Sequence, residues 1–155
     1  MQQDSFSKGK AFERYVKDVM FPAYYYSMMR ETPPHNNEPS RFNEDYLNPD
    51  FTFRRKKNNF IFHVEAKWRS FEAITDDCYL NICSPEQLHR YKSYEEPVYI
   101  ALGVGGNPEN PTLVFILPVF TLYTNKVPFN WLCRDYMFYK NKRVFSIHLM
   151  QLIGS

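Results

Sequence analysis

Two stretches that alternate apolar and polar residues, separated by a polar turn, constrain this fold more than any other feature of the chain. The first is Phe51-Thr52-Phe53, and the second covers residues 60–68. Asn58-Asn59 lies between them, and asparagine tolerates the positive φ that tight hairpin turns require. Alternation of this kind is typical of strands that bury one face. The sequence therefore predicts a β-hairpin.

The register of this predicted hairpin brings charged residues together. If the two asparagines form a two-residue loop, Thr52 lies opposite Glu65, and Asp50 lies opposite Lys67. A four-residue loop would keep this pairing, whereas a three-residue loop would shift it by one residue and need a bulge to restore it. Because side chains alternate between faces, these four residues share one face. The other face is apolar and carries Phe51, Phe53, Val64, Ala66 and Trp68.

The rest of the chain alternates helical and extended patterns, and we expect residues 1–155 to form a single domain. Apolar residues at helical spacing predict a helix over residues 7–21, which Pro22 ends. Ser84 before Pro85 predicts the start of a second helix, over residues 84–94. Four further segments complete the pattern: a run of ambiguous type at 24–29, a long loop at 32–49, buried strands at 98–104 and 113–119, and a hairpin in the tail from 136 to 149.

Composition and cysteine usage exclude several classes of function. Hydrophobic residues make up 44% of the chain and charged residues 23%, as in a globular protein. The three cysteines include no CxxC pair, so free and largely buried thiols are expected rather than a disulfide framework or a zinc ribbon. No signal segment or apolar stretch of membrane-spanning length is visible. We expect a soluble, cytoplasmic protein without a membrane partner.

The charged residues of the hairpin also form a recognisable motif. Pro49-Asp50 is followed, after fourteen intervening residues, by Glu65-Ala66-Lys67. This pattern resembles the signature of the PD-(D/E)XK nuclease superfamily, which includes many restriction enzymes, repair nucleases and archaeal Holliday junction resolvases. The resemblance implies an α/β (α+β) fold of the restriction endonuclease-like type. Such a fold has a central mixed β-sheet flanked by helices, with an αβββαβ core.

Two flanking features extend the resemblance over about two thirds of the chain. Lys8-Gly9, followed by Glu13 within a Phe-Glu-Arg sequence, looks like the resolvase-type opening, where the helix glutamate assists metal binding. Gln87, in the helix after the lysine strand, resembles the glutamine that several branches place near the site. Glu13 and Gln87 therefore join Asp50 and Glu65 as candidate site residues.

The residue types fit the chemistry of phosphodiester hydrolysis, which needs an activated water and compensation of charge on the phosphate. Asp50 and Glu65 would bind Mg²⁺, for which Mn²⁺ is expected to substitute. As the resemblance implies, the Ala66 carbonyl would add a third oxygen, and Glu13 would act directly or through water. Lys67 would orient or help deprotonate the attacking water.

Basic clusters indicate where a substrate could bind. Residues 54–57 place four positive charges at the hairpin tip, residues 67–69 add two beside the site, and residues 140–143 form a third cluster. Such runs are common in solvated turns, but beside a metal site they are reasonable phosphate contacts. The resemblance favours DNA as the partner, with endonuclease action in defence, repair, recombination or mobile-element processing, and it leaves room for a homodimer. The alternative is a catalytically inactive nucleic-acid-binding or protein-interaction domain with the same fold.

Overall fold

A computed structural model describes residues 4–33 and 47–138 of this chain. Within them lie three α-helices and seven strands. In chain order these are α1 (Ser5–Tyr15), β1 (Tyr26–Glu31), β2 (Phe51–Arg55), β3 (Ile61–Arg69), β4 (Tyr79–Asn81), α2 (Pro85–Lys92), β5 (Val98–Val104), β6 (Leu113–Pro118), β7 (Lys126–Pro128) and α3 (Phe129–Asp135). The predicted strands at 98–104 and 113–119 are confirmed, and the ambiguous run at 24–29 contributes to β1.

The first helix begins two residues earlier than predicted and ends in a wider turn. Asp4 caps α1 by accepting a 2.7 Å hydrogen bond from the Ser7 N–H. The chain continues from α1 into a π-helical turn, Val16–Met20, and leaves the helix before Pro22. A Cβ on Gly103 of β5 would lie 2.5 Å from the ring of Phe12. The glycine therefore lets α1 pack closely against the sheet.

The central sheet has five strands in the order β1-β2-β3-β5-β6. β3 and β5 run parallel, whereas the other neighbouring strands are antiparallel. The segment between β3 and β5 contains α2, which is the crossover that a parallel pair requires. The mixed sheet and the αβββαβ order of its core elements confirm the predicted fold class.

The hairpin register differs from the predicted one by two residues. Thr52 pairs with His63 rather than Glu65. The turn has four residues, but it covers 56 to 59, between Arg55 and Phe60, and is not centred on the two asparagines. The expectation that a four-residue loop keeps the predicted pairing is therefore wrong. Of the four turn residues, only Asn59 adopts a positive φ, of 59°. Its N–H donates to the Arg55 carbonyl at 2.8 Å. A shift of two residues leaves every side chain on its predicted face. The polar and apolar faces are therefore as expected.

The sheet separates two apolar clusters. The cluster on the α1 side contains the apolar face of the hairpin: Phe12, Val16, Met20, Phe51, Phe53, Phe62, Val64 and Tyr99. The cluster on the α2 side contains Leu88, Tyr91, Ile100, Leu102, Phe115 and Leu117. The polar face of the hairpin thus lies on the same side of the sheet as α2, which positions the candidate site.

A smaller unit built from β4, β7 and α3 was not predicted. β4 and β7 pair antiparallel, and Val127 and Leu132 bury into the α2-side cluster. Its strands have three residues each, too few to show a periodicity. The predicted tail hairpin lies mostly outside the described residues, although Met137 forms a bridge with Phe115 of β6.

The three cysteines are free, as expected, although Cys78 is exposed rather than buried. Among the described residues, no helix is long and apolar enough to cross a membrane.

Candidate active site

The start of β2 and the middle of β3 bring Asp50 next to Glu65. The antiparallel pairing ends with Phe51 opposite Val64, so Asp50 and Glu65 are the next residues on their strands. The Asp50 N–H donates to Glu65 Oε2 at 3.2 Å, and the Ala66 N–H donates to Asp50 Oδ2 at 2.8 Å. Thr32 fixes the backbone at this point by donating its N–H to the Asp50 carbonyl at 2.8 Å. The sequence prediction paired Asp50 with Lys67, and the shifted register places it beside Glu65 instead.

Glu65 is a buried carboxylate, with 6% of its surface exposed, and it has a partner on each oxygen. Tyr91 of α2 donates its hydroxyl to Glu65 Oε2 at 2.9 Å. Lys67 Nζ lies 3.2 Å from Glu65 Oε1. A buried carboxylate is costly unless it is paired and hydrogen-bonded, and both conditions are met here.

Glu13 brings a third carboxyl group to the cluster from α1. Its side chain interacts with that of Asp50, and this interaction lowers the pKa of Glu13 while it raises the pKa of Asp50. Burial is the main cause that raises the pKa of Glu13, and the charge of Glu65 adds to it. Burial, followed by the charges of Glu65 and Glu13, raises the pKa of Asp50 to about 9. The three carboxyl groups therefore repel one another when they are ionised.

Gln87 connects the lysine to the start of α2. Its side-chain Oε1 accepts from the Ser84 N–H at 3.2 Å, which completes a capping box, and from Lys67 Nζ at 3.4 Å. Pro85 occupies the first turn of this helix, as predicted. Capping holds the amide in place, so Gln87 can position Lys67 between itself and Glu65.

Two residues of α2, and one just after the helix ends at Lys92, belong to the site region but were not predicted from the sequence. Tyr91 lies four residues after Gln87, one helical turn away on the same face. Arg90 donates to the Leu47 carbonyl at 2.8 Å, and the Tyr94 hydroxyl is hydrogen-bonded to the Asn48 side chain. These contacts hold the segment that leads into Asp50. Their only sequence signal is the helical spacing that starts from Gln87.

His63 shares the polar face of β3 but contacts a separate set of side chains. Its Nδ1 lies 2.8 Å from Thr52 Oγ1, and its Nε2 lies 3.3 Å from Glu96 Oε2. Its ring packs edge-on against Tyr94, with the centroids 5.0 Å apart. The histidine thus supports the strand next to the carboxyl groups.

The backbone of β3 directs the Ala66 carbonyl away from β5. His63 donates its N–H to Pro97 of the segment before β5, and the Arg69 carbonyl accepts from Gly105 after it. Backbone groups alternate sides along a strand, so the N–H and C=O of Ala66 point towards the side where Asp50 lies. Among the described residues, no three histidine, cysteine, aspartate or glutamate side chains already form a closed ligand group. A cation would therefore need the Ala66 carbonyl or small rotations of the carboxyl groups.

The basic residues near the hairpin differ in their exposure. Arg54 and Lys57 are exposed, whereas Arg55 is only 4% exposed. Lys56 donates its ammonium to the Ala23 carbonyl at 2.7 Å. The prediction of four cations available to DNA at the tip is therefore wrong for Arg55. The predicted cluster at 140–143 lies outside the described residues.

A cavity of about 370 Å³ opens beside Ala66 and Lys67, between the start of α1 and the end of β3. Lys8 and Arg69 contribute to its lining, together with Trp68. The Lys8 ammonium lies over the Trp68 ring, 5.7 Å from its centroid. This polar cavity places positive charge next to Lys67.

Comparison with solved structures supports the predicted fold. No protein-family model matches this chain, and no curated protein matches its sequence. The chain is similar to the structure of Hjc, a Holliday junction resolvase from the archaeal hyperthermophile Archaeoglobus fulgidus. The match covers 82% of this chain and 88% of that chain, with a TM-score of 0.50 and 19% sequence identity. This likeness confirms the restriction endonuclease-like fold and fits the resemblance to the PD-(D/E)XK superfamily.

Proposed function

We propose that this protein is a metal-dependent nuclease that hydrolyses phosphodiester bonds in DNA, as an endonuclease rather than an exonuclease. The observation that carries the proposal is the convergence of three carboxyl groups and one lysine: Asp50, Glu65, Glu13 and Lys67. Carboxylates bind hard cations, and a neighbouring ammonium group stabilises a phosphate. The structural likeness to a Holliday junction resolvase points in the same direction.

The donor set fits Mg²⁺ or Mn²⁺. Burial of the three carboxyl groups calls for a compensating positive charge, which a divalent cation would supply. Asp50, Glu65 and the Ala66 carbonyl would hold the ion, with Glu13 bound directly or through water. The bound ion would activate water and offset the charge that grows on the phosphate.

The side chains around the carboxyl groups would position the reactants. Lys67, held between Glu65 and Gln87, would orient the attacking water and bind a phosphate oxygen. Tyr91 would keep Glu65 in one orientation by donating to Oε2. Burial and the charge of Glu65 raise the pKa of Tyr91, so its hydroxyl keeps the proton that it donates.

Cations outside this cluster would bind the DNA backbone. Lys8 and Arg69 line the cavity beside Lys67, and Arg54 and Lys57 are exposed at the hairpin tip. Phosphate contacts of this kind set affinity and register without reading sequence. Duplex, single-stranded and branched DNA would all present such phosphates.

A cleavage assay tests the proposal. Purified protein would be incubated with blunt, tailed, flapped and four-way DNA in Mg²⁺, in Mn²⁺ and in EDTA. We expect cleavage only with metal, and we expect Asp50→Asn and Glu65→Gln to lose metal binding and cleavage together. Glu109→Gln, an exposed glutamate in the loop between β5 and β6, is the matched control and should cleave like the wild type. DNA binding without metal-dependent cleavage would instead support the inactive nucleic-acid-binding alternative.

A further inference from the structure

The unit formed by β7 and α3 contains an aromatic groove that the proposed chemistry does not use. The groove has a volume of about 460 Å³, within the range of small-ligand sites. Buried Leu122 and Val127 contribute to its lining, together with Tyr123 and Trp131. Tyr123 is 98% exposed, so its ring is open to a stacking partner.

Positive charge flanks this groove. Lys126 and Arg134 both contribute to its lining, and both are exposed. Asp135 lies 3.1 Å from Arg134 and offsets part of its charge, so Lys126 supplies the clearer positive potential. Aromatic rings beside cations form the combination that binds single-stranded nucleic acid, where bases stack on the rings and cations follow the backbone. An apolar peptide carries no negative charge that could pair with these two cations.

A short chain of contacts connects the groove to the carboxyl groups. Arg69 lies two residues beyond Lys67 on the same face of β3. Its Nε donates to the Asn81 carbonyl of β4 at 3.1 Å, and Asn81 pairs with Lys126 of β7. Arg69 therefore connects the strand that carries Lys67 to the β4–β7 pair that carries Lys126. A DNA strand whose phosphates bind Lys67 would meet further positive charge at Arg69 and at Lys126.

We infer that the groove binds one or two unpaired nucleotides of the DNA strand that enters the active site, stacking a base against Tyr123 and Trp131. This inference rests on the proposed nuclease function and narrows its substrate class to DNA with a single-stranded segment beside the cleavage position. Fully paired bases cannot enter a groove of this kind because their faces are stacked on one another.

Fluorescence anisotropy in EDTA tests the inference without cleavage. A blunt duplex would be compared with the same duplex carrying a five-thymidine tail on either its 5′ or its 3′ end. We expect the protein to bind one tailed duplex about tenfold more tightly than the blunt one, since stacking on an aromatic side chain contributes about that factor. Tyr123→Ala should remove this gain and leave affinity for the blunt duplex unchanged. Because Tyr123 is 98% exposed, its removal should not disturb folding.

Tyr24→Ala is the matched control, since Tyr24 is another exposed tyrosine, 79% accessible, at the start of the β1 region. It should keep the full preference for the tailed duplex. The inference is overturned if the wild type shows no preference for a tail, or if the preference survives Tyr123→Ala. It is also overturned if Tyr123→Ala alters the sedimentation coefficient of the free protein, because the groove would then hold a second copy. If any of these results overturns the inference, metal-dependent cleavage of the blunt duplex would still support the proposed nuclease function. If the protein cleaves none of the substrates in the presence of metal, the proposed function itself is contradicted.

Discussion

The hydroxyl group of Tyr91 donates a 2.9 Å hydrogen bond to Glu65 Oε2, inside the sheet-facing side of α2. Tyr91 is 3% exposed, so the bond is shielded from water. The same carboxylate faces Lys67 through its other oxygen. This side chain of α2 thus fixes the orientation of Glu65 relative to Lys67.

Replacing Tyr91 by Phe should lower metal affinity and turnover about tenfold, because a partner that orients a metal ligand typically contributes that much. The ring remains, so packing against Glu65 is kept and only the hydrogen bond is lost. Calorimetric titration with Mg²⁺ and single-turnover cleavage would measure the two effects. Tyr24→Phe removes an exposed hydroxyl and should change neither quantity. Wild-type metal affinity in Tyr91→Phe would show that the bond does not position Glu65.

Asp50→Asn should stabilise the protein in EDTA, by about 1 kcal/mol or about 3 °C in Tm. The substitution keeps the shape of the side chain and removes one of three mutually repelling carboxyl groups. Saturating Mg²⁺ should raise the Tm of the wild type and leave the variant nearly unchanged, since only the wild type would bind the ion tightly. Thermal melts in EDTA and in Mg²⁺ measure both. A variant that melts below the wild type in EDTA would contradict the predicted repulsion.

Lys67→Ala should reduce the cleavage rate about 100-fold or more while metal affinity changes little. The substitution removes the cation that would orient the water and leaves Asp50 and Glu65 in place. Rapid-quench kinetics and Mn²⁺ titration separate the two quantities. Lys92→Ala, at the exposed end of α2, serves as the control and should retain the wild-type rate. Equal losses of metal binding and rate in Lys67→Ala would reassign the lysine to a structural role.

The hairpin cations should separate into two functional classes. Arg54→Ser and Lys57→Ser should each reduce the salt dependence of DNA binding, by about 0.9 in the slope of log K against log salt, without affecting stability. Arg55 is 4% exposed, so Arg55→Ser should instead lower the free energy of unfolding by about 2 kcal/mol. Binding measured over a series of salt concentrations, together with urea unfolding, tests both. If neither Arg54→Ser nor Lys57→Ser changes the salt slope, the hairpin tip does not contact DNA phosphates.

The sequence determined the elements whose signals are local and repeated. Alternation over β2 and β3 set which residues share a face, and a two-residue error in register left that assignment intact because the side-chain period is two. Ser84 and Pro85 predicted the start of α2. The continuous apolar run of Val98–Val104 predicted a buried strand. The motif also identified Asp50, Glu65 and Lys67 as candidate site residues, because its residue types and spacing can be read directly from the sequence.

Only the tertiary structure decided how those residues meet. The shifted turn at Asn59 placed Asp50 beside Glu65, and a contact between distant elements brought Glu13 from α1 to the same point. Tyr91 became a partner of Glu65 through the packing of α2 on the sheet, which no local pattern specifies. β4 and β7 are three residues long and pair across more than forty intervening residues, so their sequences carry no periodicity to read. Local patterns fix the face and the type of each element, whereas contacts between elements depend on packing that forms only in the folded chain.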